Sequence, residues 1–226
     1  MAALYVVATP IGNLEDITIR ALNTLKGVDF VLCEDTRHSG RLLAHFDIRK
    51  PLLACHAHNQ ERVVGDVVAR MQAGHSGAMV TDAGTPGISD PGGQVVAAVR
   101  AHGLAVVPIP GPSALAALLS IAGVAGKAVL FEGFLSPKKG RRRKRLAELL
   151  ERGEIAVFYE SPHRIVQLLQ DVLDIQSEAT VLVGREMTKL HEEYLFGPVA
   201  EVLEQLGGRA AIKGECTVLV SPAKKG

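Results

Sequence analysis

Four segments of this 226-residue chain gather residue types that can hold a ligand or move a proton. Thr81–Gly93 reads T-D-A-G-T-P-G-I-S-D-P-G-G, with four glycines, two prolines and two aspartates in 13 residues. Glycines there permit positive φ and close backbone approach, and prolines stiffen the turns, so the loop is suited to holding a group against its backbone. The same composition also fits an elaborate connection whose aspartate caps the next helix. Glu34-Asp35-Thr36-Arg37 sets an acidic pair beside an arginine. Such a pair can accept a proton, with Arg37 fixing the carboxylate or a neighbouring phosphate, or it can form a local ion pair and helix cap. Pro110-Gly111-Pro112-Ser113-Ala114 offers Ser113 as an N-cap ahead of small residues over which a ligand can lie. Finally, Lys138, Lys139, Arg141, Arg142, Arg143, Lys144 and Arg145 put seven basic residues in eight positions. That run is a solvated helix face or, given a net charge of only +1, a local phosphate-contacting patch.

The elements that must position these segments follow from periodicity. Leu4–Ala8, Phe30–Cys33, Ala78–Thr81 and Ala105–Ile109 are short apolar runs ending in Gly, Pro or acidic clusters, and they predict buried strands. Asp16–Leu25, Ser39–Phe46, Gln60–Ala73, Gln94–His102 and Ala114–Ala122 carry helical spacing. Continuous rather than alternating strands interleaved with helices predict an α/β fold with a parallel sheet covered on both faces. The three chemical segments of this half sit just after a strand, where such sheets bind ligands. A Gly- and Ala-rich stretch, Ala122–Lys127, suggests two lobes, 1–120 and 121–226. In the second lobe Val129–Phe131, Ile155–Tyr159, Thr180–Gly184, Glu192–Phe196 and Thr217–Val220 read as strands. Arg141–Arg152, Ile165–Leu173 and Pro198–Leu206 read as helices, and Pro222–Gly226 as a frayed tail.

Composition excludes several classes. Apolar residues make up 47%, enough for a substantial core, while aromatics are 4% and Trp is absent, so base stacking on many aromatic platforms is not expected. Three separated cysteines, Cys33, Cys55 and Cys216, argue against a disulfide framework and for a reducing compartment. The N-terminus lacks the basic region of a signal peptide, and no apolar run approaches membrane-spanning length, so a cytoplasmic protein is expected. G-x-G-x-x-G does not follow the first strand, and Gly126-Lys127 fails as a P-loop because residue 121 is Ile and residue 128 is Ala. Cys55-His56-Ala57-His58 has no second ligand pair at a recognised spacing, so no metal is expected.

Seven blocks occur in order: T-P-I-G-N-L-E-D-I-T (9–18), C-E-D-T-R (33–37), H-N-Q-E-R (58–62), T-D-A-G-T-P-G-I-S-D-P-G (81–92), P-I-P-G-P-S-A (108–114), Y-E-S-P-H-R (159–164) and G-R-E-M-T-K (184–189). Together they resemble the bacterial 16S rRNA (cytidine 2′-O)-methyltransferases of the tetrapyrrole-methylase superfamily. The resemblance implies a two-lobed fold, with a parallel-sheet N-terminal lobe, a mixed-sheet C-terminal lobe and S-adenosylmethionine in a cleft between them, and a homodimer. It implies that Pro10, Gly12, Asp82, Ala83, Gly84, Thr85, Ser113 and Ala114 line the cofactor pocket from the first lobe. It places Tyr159, Glu215, Cys216 and Thr217 around adenosine from the second.

The substrate so implied is 16S rRNA, free or assembled in the 30S subunit. Many members continue into a small helical C-terminal extension. This chain stops at Gly226, so, if that extension grips RNA, either weaker RNA binding or another surface is expected, for which Arg141, Arg142, Arg143, Lys144 and Arg145 are candidates, with His163 and Arg164. A 2′-hydroxyl is a weak acid, so a proton acceptor is expected, with Asp35 and Glu34 leading, Arg37 assisting, and Asp82 and Asp90 behind. Two other readings fit the fold: a small-molecule methylase acting on a tetrapyrrole-like substrate, and a non-catalytic RNA-binding assembly factor.

Overall fold

The structure is a computed structural model that describes residues 2–56, 59–90, 92–124, 126 and 128–223. Readings that fall on Ala57, His58, Pro91, Ala125, Lys127 and 224–226 lie outside the described residues. These are part of the Cys55–His58 reading, one proline of the Gly-rich loop, part of the lobe boundary and the tail's end. The chain separates into two compact units, Met1–Ser113 and Ala114–Gly226.

The first unit is a five-stranded, all-parallel sheet with strand order β3-β2-β4-β1-β5. Its strands are β1 (Ala3–Val7), β2 (Phe30–Cys33), β3 (Leu52–Ala54), β4 (Gly77–Met79) and β5 (Ala105–Ile109). Helices α1 (Ile19–Gly27), α2 (Thr36–His45), α3 (Gln60–Gln72) and α4 (Gly93–Ala101) connect them. Because side chains alternate along a strand, β1 and β2 send Leu4, Phe30 and Leu32 to one face and Val7, Val31 and Cys33 to the other. The first set packs with Val63, Val67 and Met71 of α3 and with Val95 and Val99 of α4. The second packs with Ala21 and Leu25 of α1 and Leu43 of α2. Both faces are therefore covered, which is why the strands are continuously apolar. β4 comes close to its neighbour: a Cβ on Gly77 would lie 2.5 Å from the Phe30 ring.

Strand β3 has no counterpart in the periodicity reading. It is three residues long, half-buried and at the sheet edge, too short for an alternation signal. The helix expected over Asp16–Leu25 divides in two. A 3-10 turn over Leu14–Asp16 is capped by Asn13, whose side chain accepts from the Glu15 amide, and Thr18 then caps α1 through the Ala21 amide at 3.0 Å.

The second unit opens with the short helix α5 (Ala114–Ser120) and holds a mixed sheet of order β6-β7-β10-β8-β9. The strands are β6 (Val129–Phe134), β7 (Ile155–Glu160), β8 (Thr180–Arg185), β9 (Glu193–Pro198) and β10 (Cys216–Ser221). Only β6 and β7 run parallel. One face packs on α6 (Lys139–Glu151), α7 (Ile165–Ile175) and α8 (Val199–Gly207) through Leu146, Leu149, Leu168, Leu169, Val202 and Leu206. On the other face Leu118 of α5 lies against Gly184, where a Cβ would sit 2.8 Å from its Cδ1. β6 runs three residues past the expected strand Val129–Phe131, with a bulge between Phe131 and Gly133.

Candidate functional site

In the first unit, the loops after β1, β4 and β5 are sewn together. The Thr9 amide donates to the Gly84 carbonyl at 2.9 Å and the Gly84 amide donates to the Thr9 carbonyl at 3.0 Å, an isolated antiparallel bridge. The buried Thr9 hydroxyl donates to the Thr81 carbonyl at 3.1 Å, and the Thr85 hydroxyl to the Pro112 carbonyl at 3.0 Å. Gly84 takes φ +80, a left-handed backbone that favours glycine. Ser89 holds φ +66 without being glycine, a strained position inside the same loop. Gly111 approaches Ala8 so closely that a Cβ would be 3.1 Å from the alanine's own. Pro10 is buried in this cradle, Asp82 and Thr85 are half-buried, and Gly12 and Ala83 are exposed.

One carboxylate oxygen of Asp82 is buried with no hydrogen-bond partner. Such an acceptor is costly unless water or a bound group supplies a donor. Asp82 belongs to an acidic group with Glu34 and Asp90. Burial and the Asp82 charge raise the Glu34 carboxyl above its usual range. Asp90 is pushed up to about 6 by burial, then by the charges of Glu34 and Asp82, against a lowering by the Thr81 hydroxyl. Asp35 behaves oppositely. It caps α2 by accepting from the Arg37 amide at 2.7 Å and meets the Arg37 guanidinium at 3.2 Å, and these bonds hold its carboxyl below its ordinary value. Of the two roles open to Glu34–Arg37, Asp35 and Arg37 take the ion pair and cap, and Glu34 alone turns to the other carboxylates. Among the described residues no three His, Cys, Asp or Glu side chains gather in a way that could hold a metal ion.

In the second unit, β10 alternates. Cys216 is buried on the face that packs on the helices, with its thiol pushed up to about 11 chiefly by burial. Only its backbone can therefore meet a ligand. Thr217 pairs in register with Tyr159 and with Gly184, on the opposite face. Glu215 is tied by Lys189 at 2.8 Å, and Lys189 also reaches Glu186 at 2.9 Å, so the G-R-E-M-T-K block is latched to the start of β10.

The basic run resolves into two kinds of residue. Arg142 is 3% exposed and its Nε donates to Asp171 at 2.7 Å. No phosphate reaches it, which corrects its assignment to an RNA surface. Arg143 bonds Asp171 and Asp174, and Arg145 bonds Glu132 at 2.7 Å and Glu148 at 3.3 Å, so both cations are already neutralised locally. Arg141 and Lys144 are exposed, as are Lys138 and Lys139. His163 is exposed, but Arg164 is a brace: its guanidinium donates to the fully buried Glu160 carboxylate and at 3.2 Å to the Leu135 carbonyl.

Sequence reasoning missed the convergence of Glu34, Asp82 and Asp90, because it depends on β2 lying beside β4. It also missed Thr9 as the strap between loops. The placement of Arg142, by contrast, was signalled: it stands four and seven residues before the core residues Leu146 and Leu149.

The family model for tetrapyrrole (corrin/porphyrin) methylases matches residues 3–203. Among curated relatives, one from Borrelia garinii subsp. bavariensis is 44% identical over 96% of this chain and 98% of its own length. One from Pseudomonas aeruginosa is 46% identical over 96% of this chain and 78% of its own, and one from Thermotoga maritima 42% over 98% and 99%. All three are named ribosomal RNA small subunit methyltransferase I. Among solved structures, cobalt precorrin-4 methyltransferase superposes with a TM-score of 0.71 at 18% identity, covering 97% of this chain and 94% of that one. The uroporphyrin-III C-methyltransferase of Thermus thermophilus, complexed with S-adenosyl homocysteine, gives 0.67 at 20%, covering 96% and 97%. The cradle of strand-end loops and this agreement over nearly the full length place the chain in the tetrapyrrole methylase family, among the relatives named ribosomal RNA small subunit methyltransferase I.

Proposed function

We propose that the chain is an S-adenosylmethionine-dependent methyltransferase that methylates a cytidine ribose 2′-hydroxyl of 16S rRNA, as a cytoplasmic homodimer. The observation that carries the reading is the name shared by relatives 42–46% identical over almost the whole chain, on a fold whose first unit presents a glycine-lined cradle. Pro10, Gly12, Asp82, Ala83, Gly84 and Thr85 are the proposed contacts for the methionine end of the cofactor. The donor set fits: an unpartnered Asp82 oxygen suits an ammonium group, and exposed loop amides suit a carboxylate. Ser113 and Ala114 remain proposed contacts, as do Tyr159, Glu215, Cys216 and Thr217 for adenosine, Cys216 through its backbone.

When bound, the sulfonium supplies a methyl group already activated for transfer to oxygen. The protein's task is then to position the hydroxyl in line and take its proton. Asp35 is poorly suited, since its charge is held by Arg37. Glu34 and Asp90 are the proposed proton acceptors: both are raised toward neutrality, and their titration is shared with Asp82 rather than owned by one residue. Arg141 and Lys144, with His163, are the proposed RNA contacts that survive burial and pairing.

The test is transfer of label from S-adenosylmethionine to 30S subunits, to free 16S rRNA and to a tetrapyrrole such as uroporphyrinogen III. Label in either RNA substrate and none in the tetrapyrrole is expected. Label in the tetrapyrrole alone would reverse the reading, and no label anywhere would leave a binding protein without turnover.

A further inference from the structure

β6 ends in Phe134, an exposed ring that none of the proposed cofactor or proton-transfer contacts uses. Residues 131 and 134 are three apart, and in a regular strand they would point to opposite faces. The bulge between Phe131 and Gly133, with Gly133 at φ +69, shifts the register so that Phe131 pairs with Val157 and Phe134 with Tyr159. Both phenyl rings therefore meet Tyr159 edge to face, with centroids 4.9 Å and 5.9 Å away. A bulge that re-aims a side chain in this way is a built feature. Phe134 is nonetheless 59% exposed, in a chain with few aromatics. The strand end is held rigid, because Arg164, itself anchored by buried Glu160, donates to the Leu135 carbonyl.

The two residues after Leu135, Ser136 and Pro137, lead directly into Lys138 and Lys139, and the first turns of α6 add Arg141 and Lys144. Among the described residues none of these four cations has an acidic hydrogen-bond partner, unlike Arg142, Arg143 and Arg145. Glu148 and Glu151 confine the free positive charge to the N-terminal half of the helix. An exposed ring beside unneutralised cations, at the carboxyl ends of two parallel strands, matches single-stranded RNA: a base stacks on the ring while phosphates meet the cations. A second copy of the chain fits less well, because a twofold contact centred here would bring these cations against themselves.

We propose that Phe134, aligned on Tyr159 by the β6 bulge, is a stacking platform for one base of the RNA substrate, whose adjoining phosphates are bound by Lys138, Lys139, Arg141 and Lys144. The proposal rests on the reading of the chain as an RNA methyltransferase. Two assays separate them: methyl transfer to 30S subunits, and anisotropy of a fluorescent oligocytidylate across a salt series. Calorimetry with S-adenosyl homocysteine and light scattering serve as controls. Phe134→Leu should raise KM for 30S subunits and weaken oligocytidylate binding by roughly tenfold, within what one base–aromatic stack supplies. Its salt slope and cofactor affinity should not change, and Phe134→Tyr should bind as wild type does. Replacing the four cations by Gln should flatten the salt slope. The platform is refuted if Phe134→Leu stays within twofold of wild type in both assays, or if its main effect is to dissociate a dimer. If wild-type protein transfers no methyl to RNA, the enzymatic reading fails while the oligocytidylate series still decides the platform.

Discussion

At Asp90 stability and chemistry pull in opposite directions. Burial and the Glu34 and Asp82 charges lift its carboxyl from 3.8 to about 6. Between those values the folded protein holds a proton that the unfolded chain has released. Its contribution to stability is therefore full below about pH 4 and lost as pH rises through about 6. Asp90→Asn should melt at a higher temperature than wild type at neutral pH, with the gap closing as pH falls toward 4. If Asp90 takes the hydroxyl proton, the same variant should lose at least about a hundredfold in kcat, and the rise of wild-type kcat through pH 6 should vanish with it. Gains in stability that lower activity are typical where a site keeps like charges together. Thermal melts and initial rates over one pH series check both halves. A variant that melts no higher and turns over normally would remove Asp90 from the mechanism. None of this was legible locally. Asp90 read as a secondary proton-acceptor candidate in a Gly-rich loop shared with Asp82, and its other acidic neighbour, Glu34, follows a strand 56 residues earlier.

At the scale of the element, α6 shows what charge counting misses. Seven basic residues in eight positions looked like one patch, yet Arg142 faces inward and meets Asp171 of α7, both 3% exposed. Breaking that pair strands a buried charge, so Asp171→Asn or Arg142→Ala should destabilise by about 3 kcal/mol or more in urea unfolding. Replacing both by apolar residues should recover much of the loss. Arg141→Gln and Lys144→Gln should change stability by less than about 0.5 kcal/mol but weaken RNA binding and reduce its salt dependence. Equal destabilisation by all four single changes would contradict this division. The helical period already placed Arg142 with Leu146 and Leu149. Its partner, 29 residues away on another helix, had no signature. Strands showed the same limit: β2 and β5 were bounded to the residue, whereas edge strand β3 offered three residues and no pattern.

At the scale of the molecule, periodicity reached the α/β class and the parallel character of the first sheet, because covered strands are continuously apolar. Strand order was not readable. It brings β2 beside β4, and with that adjacency Glu34 joins Asp82 and Asp90. The ordered sequence blocks carried what geometry does not: the cofactor and the substrate class. The central claim is that the methyl group goes to a ribose oxygen of a cytidine in RNA. Nucleoside analysis of 30S RNA after transfer from labelled S-adenosylmethionine tests it most directly. The account predicts that label co-elutes with 2′-O-methylcytidine, in a dinucleotide that resists alkaline cleavage. Label in a base-methylated nucleoside that alkali releases normally would contradict it.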